Sequence, residues 1–183
     1  MHHAGWATVT VAVTAGTDGA GAATLEETVT HASCGRVVTM PGDPGYSGAT
    51  AHTNNTGELT GLLQAVCLEE AREPAPVEFC VDSTYAINIA TGKWPLRRTH
   101  RELGRRLNHA MARLRKARGH KNVTVRHVRA HTKDAGNETA DALAKASATD
   151  SAFGGDGEAV LRLACARFQE VIGQKLGQEL GDG

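Results

Sequence analysis

Val77, Phe79 and Val81 are β-formers spaced by two, and their run stops at a single carboxylate, Asp82. Pro74 and Pro76 punctuate the start of the run. A strand with an acid at its carboxyl end constrains the chain more than any other stretch. In α/β proteins with parallel strands, ligands collect beyond those carboxyl ends. Asp82 is therefore either a group that reaches a metal or substrate, or a cap for the helix that begins at Ser83.

The flanking sequence changes period twice. Residues 6–14 alternate Val with Thr or Ala and read as a strand, followed by a Gly- and Ala-rich turn over 15–23. Residues 28–39 supply one more strand or two short ones, and residues 40–49 form a loop by their Pro and Gly content. From Thr53 the pattern becomes helical, with Leu59, Leu62, Leu63 and Val66 on one stripe running to about Arg72. Asn54, Asn55 and Thr56 offer capping side chains, and Glu58 falls in the expected first turn. After the Val77 strand come a short helix over 84–90, a helix over about 99–118 closed by Gly119, and a strand over 122–128. A loop holding His131 leads into a helix over about 138–148 that carries Asp141 in its first turn. The expected organisation is a domain over 1–148, a linker over 149–158, and an amphipathic helix and tail over 159–183 that packs on the domain.

Composition narrows the function classes. The 183 residues suit one domain with a sizeable core, and no apolar run is long enough to span a membrane. The four cysteines are scattered without C-x-x-C pairing, which argues against a zinc site or a disulfide framework. The amino terminus lacks the pattern of a signal peptide, so an intracellular setting, cytoplasmic or nuclear, is expected. Net charge is zero, yet residues 93–129 hold thirteen of the twenty Lys and Arg residues against one acid, Glu102. So one-sided a block reads as a phosphate-facing surface, which makes nucleic acid the leading partner.

Three acids stand near the ends of separate elements: Glu58, Asp82 and Asp141. Brought to one sheet edge, they would repel unless a cation lay between them, and oxygen ligands alone suit Mg2+ or Mn2+. A divalent-metal site is expected.

The motifs N-N-T-G-E-L (54–59), V-D-S-T-Y (81–85) and H-T-K-D-A-G-N-E-T-A-D-A-L-A (131–144) resemble three successive motifs of type 1 ribonuclease H. Their order and spacing agree over roughly the first 148 residues. The resemblance implies an α/β fold with a five-stranded mixed sheet flanked by helices. It also implies hydrolysis of the RNA strand of an RNA–DNA hybrid with two metal ions, Mg2+ or Mn2+, roughly 3.5–4 Å apart. By position, Glu58, Asp82 and Asp141 would be metal ligands, and His131 would shuttle a proton or help product leave. Asn54 and Asn55 would meet the hybrid in its minor groove, where 2′-hydroxyls mark RNA, besides capping their helix. Ser83 and Tyr85 would line the same groove, Tyr85 having a core role as its alternative. Asn137 would order the loop before Asp141, and Glu138 would cap the helix or tune the metal. Lys93, Trp94, Arg97, Arg98 and Arg101, followed by Arg105 and Arg106, would hold the DNA strand through its phosphates. The enzyme is expected to act as a monomer.

One departure bears on activity. The family carries a fourth acid in T-D-G-S at the end of its first, central strand. T-D-G occurs here at 17–19, which would make Asp18 that ligand. In the competing alignment, A-G-W (4–6) begins the family's second strand, T-D-G is a hairpin turn, and the first strand is missing. A catalytically impaired module that binds hybrid or double-stranded nucleic acid is then the alternative function.

Overall fold

The computed structural model describes residues 3–96, 98–129, 134–150 and 152–181, with the side chains of 176 and 178–181 outside the description. The chain opens with an antiparallel hairpin of β1 (Gly5–Thr17) and β2 (Ala23–Arg36), in register from Gly5↔Arg36 to Thr17↔Ala23. A register shift between Thr10 and Val11 marks a bulge. At the tip the Asp18 carboxylate accepts the N–H groups of Ala20 and Ala22 at 2.9 and 2.8 Å. Gly21 takes φ +81°, a conformation that favours glycine. T-D-G is thus a turn, and the reading of Asp18 as a fourth metal ligand fails because its carboxylate closes the hairpin. The Gly- and Ala-rich piece is more extended than its composition indicates, since each strand supplies the other's hydrogen bonds.

Helix α1 (Asn54–Glu70) follows a loop, and strand β3 (Val77–Val81) then leads into the short helix α2 (Thr84–Ala90). A 3-10 turn at Arg98–His100 feeds α3 (Arg101–Arg118), which ends at Gly119 with φ +85°. Strand β4 (Val123–His127) runs parallel to β3, pairing Val77↔Val123 through Val81↔His127. Helices α4 (Ala135–Thr149) and α5 (Gly157–Gly181) complete the order. None of the described helices is long and apolar enough to cross a membrane.

The architecture is α/β, and its strands differ from the expected five-stranded sheet. Among the described residues the sheet consists of two separate pieces, β1–β2 and β3–β4. Helix α1 accounts for one side of the interruption. The Ala4 carbonyl accepts the Val37 N–H at 2.9 Å, which turns the Gly5 and Ala7 carbonyls toward the opposite edge of β1. There α1 presents Gly57 and Gly61: a Cβ on Gly57 would lie 2.5 Å from the Gly5 oxygen, and one on Gly61 3.1 Å from that of Ala7. A helix stripped of side chains at two positions one turn apart thus covers a strand edge that would otherwise stay open.

The faces of β1 divide the apolar residues. Trp6 packs with a core formed by Leu59, Leu62 and Val66 of α1, Leu103, Leu107 and Met111 of α3, and Phe79 of β3. Ala7, Val9 and Val11 face a second cluster with Leu143 of α4 and Val160, Ala164 and Phe168 of α5. At Gly5 the strand meets α4 so closely that a Cβ would strike the Ala144 carbonyl. Away from these contacts α5 carries Gly173, exposed and with nothing within 4 Å of a Cβ placed there. Gly173→Ala is therefore expected to stabilise the fold by up to about 1 kcal/mol through helix propensity. In a chain of this size that raises the melting midpoint by about 2–4 °C, readable by circular dichroism.

Candidate active site

Three element ends converge beyond β3. Helix α1 is capped by Thr53: its hydroxyl accepts the Thr56 N–H at 3.2 Å, while the Thr56 hydroxyl accepts the Thr53 N–H at 2.9 Å. Asn54 and Asn55 are therefore not the caps that the sequence offers. They are the first two helical residues, and both are exposed. Beginning at Asn54 also moves Glu58 out of the first turn and into the second, where it is half-buried.

Burial pushes the Glu58 carboxyl above the usual carboxylate range, a hydrogen bond from the Ser83 hydroxyl partly offsets this, and the nearby Asp82 charge pushes it further up. Glu58 and Asp82 are thus neighbours. Ser83 is buried and caps α2, its hydroxyl accepting the Ala86 N–H at 3.1 Å. That placement corrects its expected position in an open groove: its hydroxyl holds Glu58 and the helix start instead. Ser83→Ala is expected to cost about 1 kcal/mol of stability through the lost cap. It also removes the one group that favours ionised Glu58, so the Glu58 carboxyl should titrate at higher pH in the variant, measurable by carbonyl NMR.

Asp82 lies one residue past β3 and is exposed. Asn137 Nδ2 donates to its Oδ2 at 3.3 Å, so Asn137 acts on the acid directly rather than only ordering the loop before Asp141. Asp134 does the capping there, accepting the Asn137 N–H at 3.0 Å. Helix α4 consequently starts at Ala135, three residues earlier than expected, and Glu138 is in its first turn rather than at its cap. His127 also reaches the site, its Nε2 lying 3.2 Å from the Asp82 backbone oxygen. Sequence reasoning passed over His127. The signal was available, because parallel pairing in register of 77–81 with 123–127 sets the last residues of the two strands side by side.

Asp141 does not join the pair. The earlier helix start places it in the second turn of α4, where it forms an ion pair with Lys145 four residues on. It shares a helix face with Asn137, also four residues away, and so stands one turn beyond the residue that touches Asp82. Among the described residues, no group of three His, Cys, Asp or Glu side chains is arranged to hold a metal. The expected three-acid cluster is thus a two-acid pair. His131 and Arg97 lie outside the described residues.

The basic block separates into two populations. Arg105 and Arg106 both bind Glu102, Arg113 binds Glu70, Arg118 binds Glu69, and Arg126 binds Glu78. These five serve the fold, and a local count of charges misses three of them, Arg113, Arg118 and Arg126, because their partners lie 43–49 residues away. Lys93, Arg98 and Arg101 are exposed and make no ion pair among the described residues. Trp94 beside them is 46% exposed, its ring centroid 6.1 Å from that of Tyr85, which is itself partly buried against the main core. A cationic and aromatic surface remains, smaller than the sequence indicates.

Comparison with known proteins gives the following. The RNase H family model matches residues 11–149. No curated protein matches the chain significantly. Among solved structures, the chain is similar to the crystal structure of LC9-RNase H1, a type 1 RNase H with the type 2 active-site motif. That similarity is 19% identity over 81% of this chain and 72% of the other, with a TM-score of 0.45.

Proposed function

Because the chain belongs to the RNase H family, whose model matches most of its length, we propose that it hydrolyses the RNA strand of RNA–DNA hybrids at the Glu58–Asp82 pair. The observation that carries this reading is the approach of the two carboxylates, with burial and mutual repulsion raising the Glu58 carboxyl. Two acids kept together against repulsion are a natural seat for a cation. The donor set fits one Mg2+ or Mn2+: hard oxygen ligands only, few in number, leaving room for water and a substrate phosphate. The second ion implied by the sequence resemblance finds no such group among the described residues. Asp141, the third acid of the motifs, is its candidate ligand, on condition that Lys145 releases it.

A divalent cation at such a site supplies Lewis acidity and charge neutralisation for phosphodiester hydrolysis. The chain's own groups then have defined tasks. Ser83 orients Glu58, and Asn137 fixes the Asp82 carboxylate. Asn54 and Asn55, exposed on the turn before Glu58, face a minor groove and test for 2′-hydroxyls. Lys93, Arg98 and Arg101 neutralise DNA-strand phosphates, with Trp94 against a sugar and Arg97 as a further cation. His131 takes the proton-transfer or product-release role.

A second reading, a hybrid-binding module that does not cut, is favoured by the Asp141–Lys145 ion pair. A labelled hybrid incubated with the protein and Mg2+ separates the two. Metal-dependent cleavage of the RNA strand, lost in Asp82→Asn, supports the nuclease. Hybrid binding without cleavage, unaffected by Asp82→Asn, supports the module, and neither binding nor cleavage removes both.

A further inference from the structure

A cavity of about 380 Å3 opens between the loop of residues 40–49 and the groove of α1 and α3. Cys67 on its wall lies nine residues beyond Glu58, which is about 14 Å along α1 and on the opposite side of the helix. The cavity is therefore separate from the carboxylate pair. Its shape is built in. Gly48, at φ +104°, seats the loop on α3, where a Cβ would approach the Leu103 nitrogen to 2.8 Å. Thr50 donates to the Thr99 carbonyl at 2.8 Å, and the Arg106 Nη1 to the Tyr46 carbonyl at 3.4 Å.

The lining is asymmetric in its chemistry. Leu63 and Ala110 form an apolar floor, and Tyr46 contributes a ring over which the Arg106 guanidinium sits at 5.8 Å. Around them stand the donors Arg106, Arg113 and His109. Each arginine spends two nitrogens on protein: Arg113 on Glu70, and Arg106 on Glu102 and the Tyr46 carbonyl. A guanidinium has five donor hydrogens, so each keeps capacity for a ligand.

We infer that this cavity binds a small phosphate monoester with a flat apolar body, of the size and chemistry of a nucleoside monophosphate. The anion meets Arg106 and Arg113, with His109 beside them, and the flat body lies on Leu63 and Ala110 beside Tyr46. A bare phosphate would leave most of the volume unfilled, and a neutral nucleoside would leave the donors unmet.

Cys67, a free and exposed thiol on the wall, reports occupancy, and Cys80, exposed on β3, serves as the internal control. Full-length protein is alkylated with iodoacetamide, and the rate at each cysteine is followed by peptide mass spectrometry. Adenosine monophosphate at millimolar concentration is expected to slow alkylation of Cys67 about fivefold or more with Cys80 unchanged. Inorganic phosphate and adenosine at the same concentration should give less than half that protection. Arg113→Gln, at an exposed ion pair that the fold can lose, should raise the half-protecting concentration about tenfold. An unchanged Cys67 rate, equal protection by phosphate or adenosine alone, or undiminished protection in Arg113→Gln would each overturn the assignment.

Discussion

Arg118→Met is expected to lose about 3–5 kcal/mol of stability, the cost of removing one partner of a buried ion pair. Arg118 and Glu69 are 8% and 9% exposed. The guanidinium Nη1 donates to Glu69 Oε2 at 3.0 Å and to the Ala75 carbonyl at 2.9 Å, and Nη2 donates to the Glu69 carbonyl. One side chain on the last turn of α3 thus ties together the end of α1 and the segment leading into β3. Methionine has similar reach without charge or donors, so it leaves Glu69 Oε2 and two backbone oxygens without their donor, with Arg72 Nη1 alone still holding Glu69 Oε1 at 2.9 Å. At about 2–4 °C per kcal/mol, the melting midpoint should fall by roughly 6–20 °C. The double variant Arg118→Met, Glu69→Leu should recover part of the loss, because the half-paired buried carboxylate is then gone. If the single variant melts with the parent, the buried pair contributes nothing to the tie between α1 and α3. By contrast, Arg105→Ala or Arg113→Ala should each change stability by no more than about 1 kcal/mol, since both ion pairs are exposed.

Glu58→Gln should separate stability from activity. Burial and the Asp82 charge raise the Glu58 carboxyl, so the folded state binds that proton more tightly than the unfolded state does. The stability that Glu58 contributes is fully present below its unfolded pKa and is lost as pH rises through its raised folded pKa. At neutral pH the ionised group is therefore a burden on the fold. Glutamine keeps the size and removes the charge, and its amide can still accept from Ser83. The variant should melt a few degrees above the parent at pH 7, and the difference should vanish at acid pH, where the parent carboxyl is protonated. Hybrid cleavage by the same variant should fall by about 100-fold or more, since a ligand that neutralises the cation is lost. Addition of Mg2+ should raise the parent's melting midpoint and leave that of the variant nearly unchanged. A variant less stable than the parent at neutral pH would mean that Glu58 is held by favourable contacts, not against repulsion.

What could be read from the sequence follows from how local each feature is. The change from period two at 77–81 to helical period over 84–90 and 101–118 is carried by neighbouring residues, and those elements form within two residues of expectation. The three motifs likewise pointed to the family. The errors concern residues whose partners are distant or whose roles compete. Asn54 and Asn55 are good caps by type, yet Thr53 outcompetes them because Thr56 completes a reciprocal pair. Asp134 likewise starts α4 early and carries Asp141 into the second turn, and Lys145 pairs with it four residues on. The arginine block looked unopposed because Glu69, Glu70 and Glu78 lie far away in the chain and close in space. The interrupted sheet was the hardest to foresee. It rests on Gly57 and Gly61, whose lack of side chains lets a helix lie along a strand edge, and nothing in the helical pattern of α1 announces that role.

We propose that Glu58 and Asp82 together seat a divalent cation that supports hydrolysis of RNA in a hybrid. The most direct test follows cleavage of an end-labelled RNA–DNA hybrid against Mg2+ concentration, with parent, Glu58→Gln and Asp82→Asn side by side. Single-stranded RNA and the DNA strand serve as substrate controls. Saturable, Mg2+-dependent cutting of the hybrid's RNA strand by the parent alone is the expected result. Equal cutting by all three proteins, or none by a parent that binds the hybrid and is not stabilised by Mg2+, would contradict it.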